Sequence, residues 1–164
     1  MSDHNKGWEM HITEMDLFTG LDLNVMGEIA DTCCIEENFT KDTVLFKEGD
    51  EATSLYILVN GSVDLKIKGE TTVYSLTEES DIFGWSSMVE NSQYTATAVC
   101  RNNIRVIKID TRRLNRLFEE NPNFGLTVYR RLCGVFNKRL SSIYQRFLDS
   151  FFASLYATRL SLYQ

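Results

Sequence analysis

Between residues 34 and 109 the chain repeats one pattern, in which short alternating or β-branched runs are each ended by Gly, Asn or Asp. Such runs are typical of β-strands, and the small polar residues between them are typical of turns. The predicted strands are residues 34–39, 43–46, 54–59, 63–67, 71–76, 95–100 and 104–109. Because no helical periodicity separates them, the segment predicts an antiparallel sandwich or jelly roll and excludes a doubly wound parallel sheet.

A tight turn is predicted where Asn60 and Gly61 interrupt the sequence LYILVNGSVDLKIK, residues 55–68. An Asn-Gly pair between alternating runs indicates a hairpin, because both residues can take the positive φ angles of a primed turn. We therefore expect the two flanking strands to be hydrogen-bonded to each other.

Helical patterns flank the strand segment on both sides. Before it, apolar residues recur at helical spacing over residues 23–32, and Asp22 is placed to cap the first free amides. After it, the sequence RRLNRLFEEN, residues 112–121, has a second amphipathic pattern with Asp110 or Thr111 available as its cap. The β-segment is therefore expected to lie between two short helices.

Asn121 and Pro122 end this second helix and start a third, since asparagine caps helices and proline suits the first turn. Apolar residues then recur at steps of three and four, at Phe124, Val128, Leu132, Val135, Phe136, Ile143, Phe147, Phe151 and Leu155. If wholly helical, this stretch would reach about 64 Å, more than one small β-domain can cover. We therefore predict a homodimer through this helix, most simply a parallel coiled coil.

The amino-acid composition indicates the compartment in which the chain functions. Hydrophobic residues make up 43% of the 164 residues and proline occurs once, which is typical of one globular domain with an appendage. No run of about 18 apolar residues is present to span a bilayer, and residues 1–6 are too polar to begin a secretory signal. We therefore expect a cytoplasmic protein with no membrane partner.

The charge is unevenly distributed along the chain. Residues 1–110 carry 8 basic against 20 acidic side chains, whereas residues 111–164 carry 9 basic against 3 acidic ones. Such an asymmetry is typical either of a nucleic-acid surface or of a basic tail that complements its own acidic body. We favour the second interpretation, so nucleic acid is not expected as a partner of this chain by itself.

No set of residues predicts catalysis or a metal site. The cysteines lack the CxxC spacing of a zinc site and are expected to be free thiols; they are Cys33, Cys34, Cys100 and Cys133. The two histidines, His4 and His11, both precede the strand segment, and no GxSxG, HExxH or Walker-type glycine loop occurs. We therefore expect a protein that is not an enzyme, with no catalytic residue, no metal and no resident cofactor.

The order of these elements resembles that of the cyclic-nucleotide-binding domain family. The sequence FTKDTVLFKEGDEATSLYILVNGSVDLKIK is similar to that family's first β-hairpins, with Gly49 at the first turn and Gly61 at the second. The resemblance extends over residues 15–147 and is in particular to the bacterial Crp/Fnr-like sensor domains. In that branch a winged helix-turn-helix follows the sensor. Only 17 residues follow Phe147, so we expect that this chain does not read DNA in that way.

Residues and resemblance together imply an α+β fold. It is an antiparallel β jelly roll, or double-stranded β-helix, flanked by N-terminal helices and a long C-terminal dimerisation helix. The implied domains are a cyclic-nucleotide-binding-like β-roll with its N-terminal helices, residues 1–121, and the long amphipathic helix, residues 122–164. The implied function is regulatory, in which occupancy of a pocket by a cyclic nucleotide or another small-molecule effector shifts the long helix.

The resemblance also places a phosphate-binding cassette at DIFGWSSMVENSQYTATAV, residues 81–99. In ligand-binding members a glutamate follows the FG pair and accepts from a ribose hydroxyl, and an arginine ten positions after the glycine binds the phosphate. This chain has Trp85 and Tyr94 instead. A phenol cannot replace the charge-assisted hydrogen bonds of a guanidinium, so losing the arginine alone weakens phosphate binding by about ten- to a hundredfold.

We therefore expect a pocket for a less charged or aromatic effector, in place of a standard cyclic nucleotide. The candidate ligand-binding residues are Phe83, Gly84, Trp85, Ser86, Ser87, Tyr94, Thr95 and Ala96. Gly84 would allow close backbone approach, and the serine hydroxyls would orient the ligand near a helix start. In the alternative interpretation Trp85 and Tyr94 fill a dead pocket as core. The chain is then an interaction or dimerisation module that binds a protein or nucleic-acid partner.

Overall fold

The structure, a computed structural model, describes residues 17–20, 22–69, 71–90 and 92–161; of Leu23 and residues 154–161 it describes the backbone. The helices are α1 (Leu23–Cys33), α2 (Thr111–Glu120) and α3 (Pro122–Ser161), with a short 3₁₀ helix at Trp85–Met88. The strands are β1 (Cys34–Phe39), β2 (Val44–Phe46), β3 (Ser54–Asn60), β4 (Val63–Ile67), β5 (Thr71–Leu76), β6 (Ile82–Phe83), β7 (Thr97–Cys100) and β8 (Ile104–Asp110). His4 and His11 lie outside the described residues.

The strands form two four-stranded antiparallel sheets. One has the order β1-β8-β3-β6 and the other the order β2-β7-β4-β5. Side chains from both sheets meet in one buried cluster, in which Leu58 and Val106 of the first sheet pack with Val63, Leu76 and Ala98 of the second. This arrangement confirms the predicted jelly roll and the α+β class, because alternating runs place one face of each sheet in a shared core.

The predicted hairpin at Asn60 and Gly61 is wrong. β3 pairs with β8 and β6, and β4 pairs with β5 and β7, so the two strands lie in different sheets. Asn60 ends β3 without a positive φ, and Gly61 alone turns the chain, with φ 97°. Both edges of β3 are already occupied, so the Asn-Gly pair serves as a corner between the sheets. A turn with positive φ at both residues occurs instead at Lys68 and Gly69, between the paired strands β4 and β5.

Substituting Gly61 tests this corner. A Cβ there would lie 2.7 Å from the backbone oxygen of Asn103, whereas a Cβ at Gly49, which also has a positive φ, would meet nothing within 4 Å. We expect Gly61→Ala to lower the free energy of unfolding by about 2–5 kcal/mol and Gly49→Ala by about 1–2 kcal/mol. Urea denaturation of both variants measures the difference, and equal losses would contradict the crowded corner.

The helices begin and end largely where the sequence predicts. Asp22 caps α1, its Oδ1 accepting from the amide of Asn24 at 2.9 Å. The Oδ1 of Asp110 accepts from the amides of Arg112 and Arg113 at 3.0 and 3.1 Å and so caps α2. α3 runs without interruption from Pro122 over 40 residues, about 60 Å of helix. β6 is not predicted, because two residues are too few to show an alternation.

Contacts divide the chain into two units, residues 1–126 and residues 127–164. The first contains the β-roll with α1, α2 and the beginning of α3, and the second contains the remainder of α3. Within the described ranges, no helix is both long enough and apolar enough to cross a membrane.

Candidate functional site

The cassette segment, residues 81–99, begins with a sharp turn at Gly84. β6 leads into this glycine, which has φ 76° and ψ 18° and starts the 3₁₀ helix. A Cβ at this position would lie 2.8 Å from the backbone oxygen of Ser54 and 3.0 Å from Cδ2 of Tyr56. Glycine is therefore required here both for its backbone angles and for the close approach of β3.

The two serines of the 3₁₀ helix, Ser86 and Ser87, are buried. The hydroxyl of Ser87 donates to the carbonyl of Gly84 at 2.8 Å, and its amide donates to the same oxygen at 3.1 Å. Ser86 is also buried, and Trp85 between Gly84 and Ser86 is half-buried. The Ser87 hydroxyl thus stabilises the turn itself, a role that the sequence alone does not indicate.

Tyr94 points into the core. Its side chain is 5% exposed, and its ring stacks on Phe46 with centroids 3.8 Å apart. Its hydroxyl donates to the carbonyl of Ser54 at 2.9 Å and accepts from the amide of the same residue at 3.1 Å. The phenol therefore satisfies both backbone polar groups of Ser54, as a neighbouring strand would.

Four aromatic side chains fill the roll beside the cassette. Tyr56 and Phe83 are stacked with centroids 5.1 Å apart, and Phe46 lies 5.6 Å from Tyr56 and 6.2 Å from Phe83. Together with Tyr94, these residues form what we call the aromatic cluster. Burial raises the pKa of Tyr94 and of Tyr56 above the usual value, so both phenols stay neutral.

The end of the cassette is held by the turn that follows β2. The amide of Gly49 donates to the carbonyl of Tyr94, and the amide of Tyr94 donates to the carbonyl of Asp50, each at 2.9 Å. The amide of Ala52 donates to the carbonyl of Ser92 at 3.0 Å. This backbone ladder keeps the Tyr94 side chain directed at Phe46.

The predicted site residues do not form one open surface. Phe83 and Tyr94 belong to the buried cluster, Thr95 is exposed, and Ala96 is half-buried before β7. Phe46, Tyr56 and Ser54 complete the arrangement, and sequence reasoning did not select them. In the sequence, each of them is marked only by its place in a predicted strand. That placement does not indicate which strands face the cassette.

Among the described residues, no three His, Cys, Asp or Glu side chains are grouped so that they could hold a metal ion. A cavity of about 260 Å³ adjoins the cassette on the side of α2. Ser87 and Glu90 line it from the cassette, and Arg112 and Asn115 line it from α2. Glu51 on its rim is ion-paired with Arg112, so the cavity wall joins the turn after β2 to α2.

The sequence of this chain matches a known protein family. A model described as the cyclic nucleotide-binding domain matches residues 36–121, just over half of the chain. The chain belongs to the cyclic nucleotide-binding domain family. The two antiparallel sheets and the helices that follow β8 match the fold of this family.

Individual relatives agree with this membership. Rap guanine nucleotide exchange factor 3 of Rattus norvegicus is 34% identical over 98 residues, which are 59% of this chain and 10% of that protein. A cAMP-dependent protein kinase regulatory subunit of Candida albicans is 30% identical over 132 residues, 80% of this chain and 25% of that protein. This chain thus spans a quarter or less of the length of these two proteins.

A solved structure has the same fold over most of this chain. It is described as a putative cyclic nucleotide-binding protein from Geobacter metallireducens. The two superpose with a TM-score of 0.73 at 28% sequence identity, over 80% of this chain and 97% of the other.

Proposed function

We propose that this member of the cyclic nucleotide-binding domain family is a non-catalytic, cytoplasmic regulatory module whose effector is not a standard cyclic nucleotide. The observation that carries the proposal is the position of Tyr94. Its hydroxyl is engaged by both backbone groups of Ser54, and its ring is stacked on Phe46. The position where the family resemblance implies an arginine for the phosphate is thus occupied by a neutral, inward-facing side chain.

Electrostatics supports this proposal. A cyclic phosphate carries a full negative charge, and leaving it without a cation in a desolvated site is costly. Tyr94 cannot supply that cation, and turning its hydroxyl towards a ligand would leave the amide and carbonyl of Ser54 unpaired. Trp85 brings no carboxylate to accept from a ribose hydroxyl. Both interactions that would distinguish a cyclic nucleotide are therefore missing from the cassette.

Calorimetric titration with cAMP and cGMP tests this part of the proposal. We expect no saturable binding by the unaltered chain. The double variant Trp85→Glu/Tyr94→Arg, once a thermal melt shows that it is folded, should bind cAMP at least about tenfold more tightly than Trp85→Glu, because it adds a charge-assisted phosphate contact to the restored carboxylate. Trp85→Glu alone is the matched control, since it adds the acceptor without the cation. Tight cAMP binding by the unaltered chain would refute the proposal.

We propose that the output of the module passes through a homodimer formed by α3. Seven residues of α3 follow the 3-4 spacing of a heptad repeat, namely Leu126, Tyr129, Cys133, Phe136, Leu140, Ile143 and Phe147. All but Phe136 are exposed in the single chain, Phe147 by as much as 65%. Such a stripe, which we call the seam, is the pattern that two parallel helices bury between them. A conformational change in the β-roll could then alter the arrangement of the two α3 helices.

Cys133 provides a direct test of this arrangement. In a parallel, in-register pair the two Cys133 side chains face each other across the seam, at a separation that a disulfide can span. We expect copper-phenanthroline oxidation to convert the protein into a covalent dimer on non-reducing gels. The control variant Cys133→Ser/Ser141→Cys moves the thiol off the seam and should stay monomeric on the gel. A dimer in solution that Cys133 fails to cross-link would exclude the parallel register.

A further inference from the structure

A second cavity lies on a different side of the β-roll from the aromatic cluster. Its volume is about 450 Å³, within the usual range for small-molecule sites. It is formed where α1 ends, β1 begins, β8 ends and α2 begins. The residues on which the argument depends are Asp31, Cys33, Ser54, Lys108, Asp110 and Arg113. No side chain of the aromatic cluster lines it.

The charges around this cavity are balanced. Lys108 and Arg113 supply two cations, and Asp31 and Asp110 supply two carboxylates. Lys108 lies 3.8 Å from Glu37. Arg113 lies 3.5 Å from Oδ2 of Asp110 and donates from Nη1 to the carbonyl of Thr32 at 2.9 Å. An ammonium has three donors and a guanidinium five, so both cations keep donors for a ligand anion. A ligand with a single charge would be attracted by two of these side chains and repelled by the other two. A ligand that carries both charges could place each of them beside side chains of the opposite sign.

The chemistry of the Cys33 thiol favours non-covalent binding of a ligand in this cavity over covalent attachment. Cys33 is buried, and desolvation raises the pKa of its thiol, an effect that its hydrogen bond with Thr32 only partly offsets. A neutral thiol is a poor nucleophile and a poor metal ligand. Cys33 therefore serves as a neutral part of the cavity wall.

We propose that this cavity binds a small zwitterion of amino-acid to dipeptide size. Its carboxylate would pair with Lys108 and Arg113, and its ammonium with Asp31 and Asp110. Ser54 connects the cavity to the cassette, because it lines the cavity and its backbone amide and carbonyl hold the hydroxyl of Tyr94. A zwitterion in the cavity would therefore act on the aromatic cluster from outside the roll. The site does not depend on whether a cyclic nucleotide binds.

Protection against thermal unfolding tests the proposal in the unaltered chain. The probes are the common L-amino acids and glycyl dipeptides, with propylamine and propionate as single-charge controls. We expect at least one zwitterion to raise the melting temperature, because at ten times its Kd mass action raises the ratio of folded to unfolded protein by about elevenfold.

Charge variants locate the site. Lys108→Gln and Asp31→Asn should each weaken the protecting zwitterion by about ten- to a hundredfold, whereas Lys41→Gln, at an exposed residue outside the cavity, should leave it unchanged. Thermal melts of the unliganded variants show whether the fold persists. The proposal is overturned if no zwitterion protects, if propylamine or propionate protects equally well, or if both folded cavity variants retain full protection.

Discussion

Tyr94→Ala is expected to lower the free energy of unfolding by about 3–5 kcal/mol, the usual loss for a large buried aromatic side chain. The ring stacked on Phe46 would be replaced by a cavity inside the aromatic cluster. The amide and carbonyl of Ser54 would also lose the hydroxyl that bonds both of them. The variant therefore loses both packing and hydrogen-bond energy. Urea denaturation followed by circular dichroism measures the change in the free energy of unfolding.

Two control variants separate these contributions. Tyr94→Phe keeps the ring and removes the hydroxyl, so we expect a loss of about 1–3 kcal/mol from the unsatisfied Ser54 groups. Thr95→Ala changes the exposed neighbour and should alter stability by no more than about 0.5 kcal/mol. If Tyr94→Ala proved as mild as Thr95→Ala, the phenol would not be part of the core, and a ligand could displace it.

Leu140→Asp/Ile143→Asp is expected to convert the proposed α3 dimer into a monomer. Both residues lie on the seam and are exposed in the single chain by 50% and 41%. In the helix pair each aspartate would be buried opposite its own copy, so that two like charges would face each other in the interface. We expect the dimer dissociation constant to rise by at least about a hundredfold, which corresponds to nearly 3 kcal/mol. Sedimentation equilibrium measures it directly.

Ser141→Asp/Gln145→Glu is the matched control for this variant. Both residues are exposed and lie off the seam, so the same two added charges should leave the proposed dimer intact. Were both variants to dissociate equally, the association would depend on total charge and not on the seam. Were neither to dissociate, a surface other than α3 would join the two copies.

Local structure followed the local sequence closely. Three strands begin and end where the alternation predicts, β1, β4 and β5, because each is a short amphipathic run bounded by turn residues or by a helix end. The caps Asp22 and Asp110 also occupy their predicted positions, since capping depends only on residues two or three apart. β7 begins two residues later than predicted, at Thr97, because the backbone ladder of residues 92–94 with the turn after β2 holds the preceding residues.

The candidate site was predictable only as a segment. The family resemblance placed the cassette at residues 81–99 and drew attention to Trp85 and Tyr94. It did not show that Tyr94 would meet Phe46 and Ser54, which are 48 and 40 residues away in the sequence. No local pattern contains such a pair, since the contact exists only once β2, β3 and the cassette are brought together by the two sheets.

By itself, the sequence determined most of the elements of this protein, their order and their caps, because each follows from hydrophobic periodicity and hydrogen bonding within a few residues. Tertiary structure alone decided which strands pair, and therefore why Asn60 and Gly61 form a corner and not a hairpin. It also decided that Tyr94 lies inside the roll. Pairing and burial depend on competition among all strands for partners and for the shared core, and that competition is settled only when the whole domain folds.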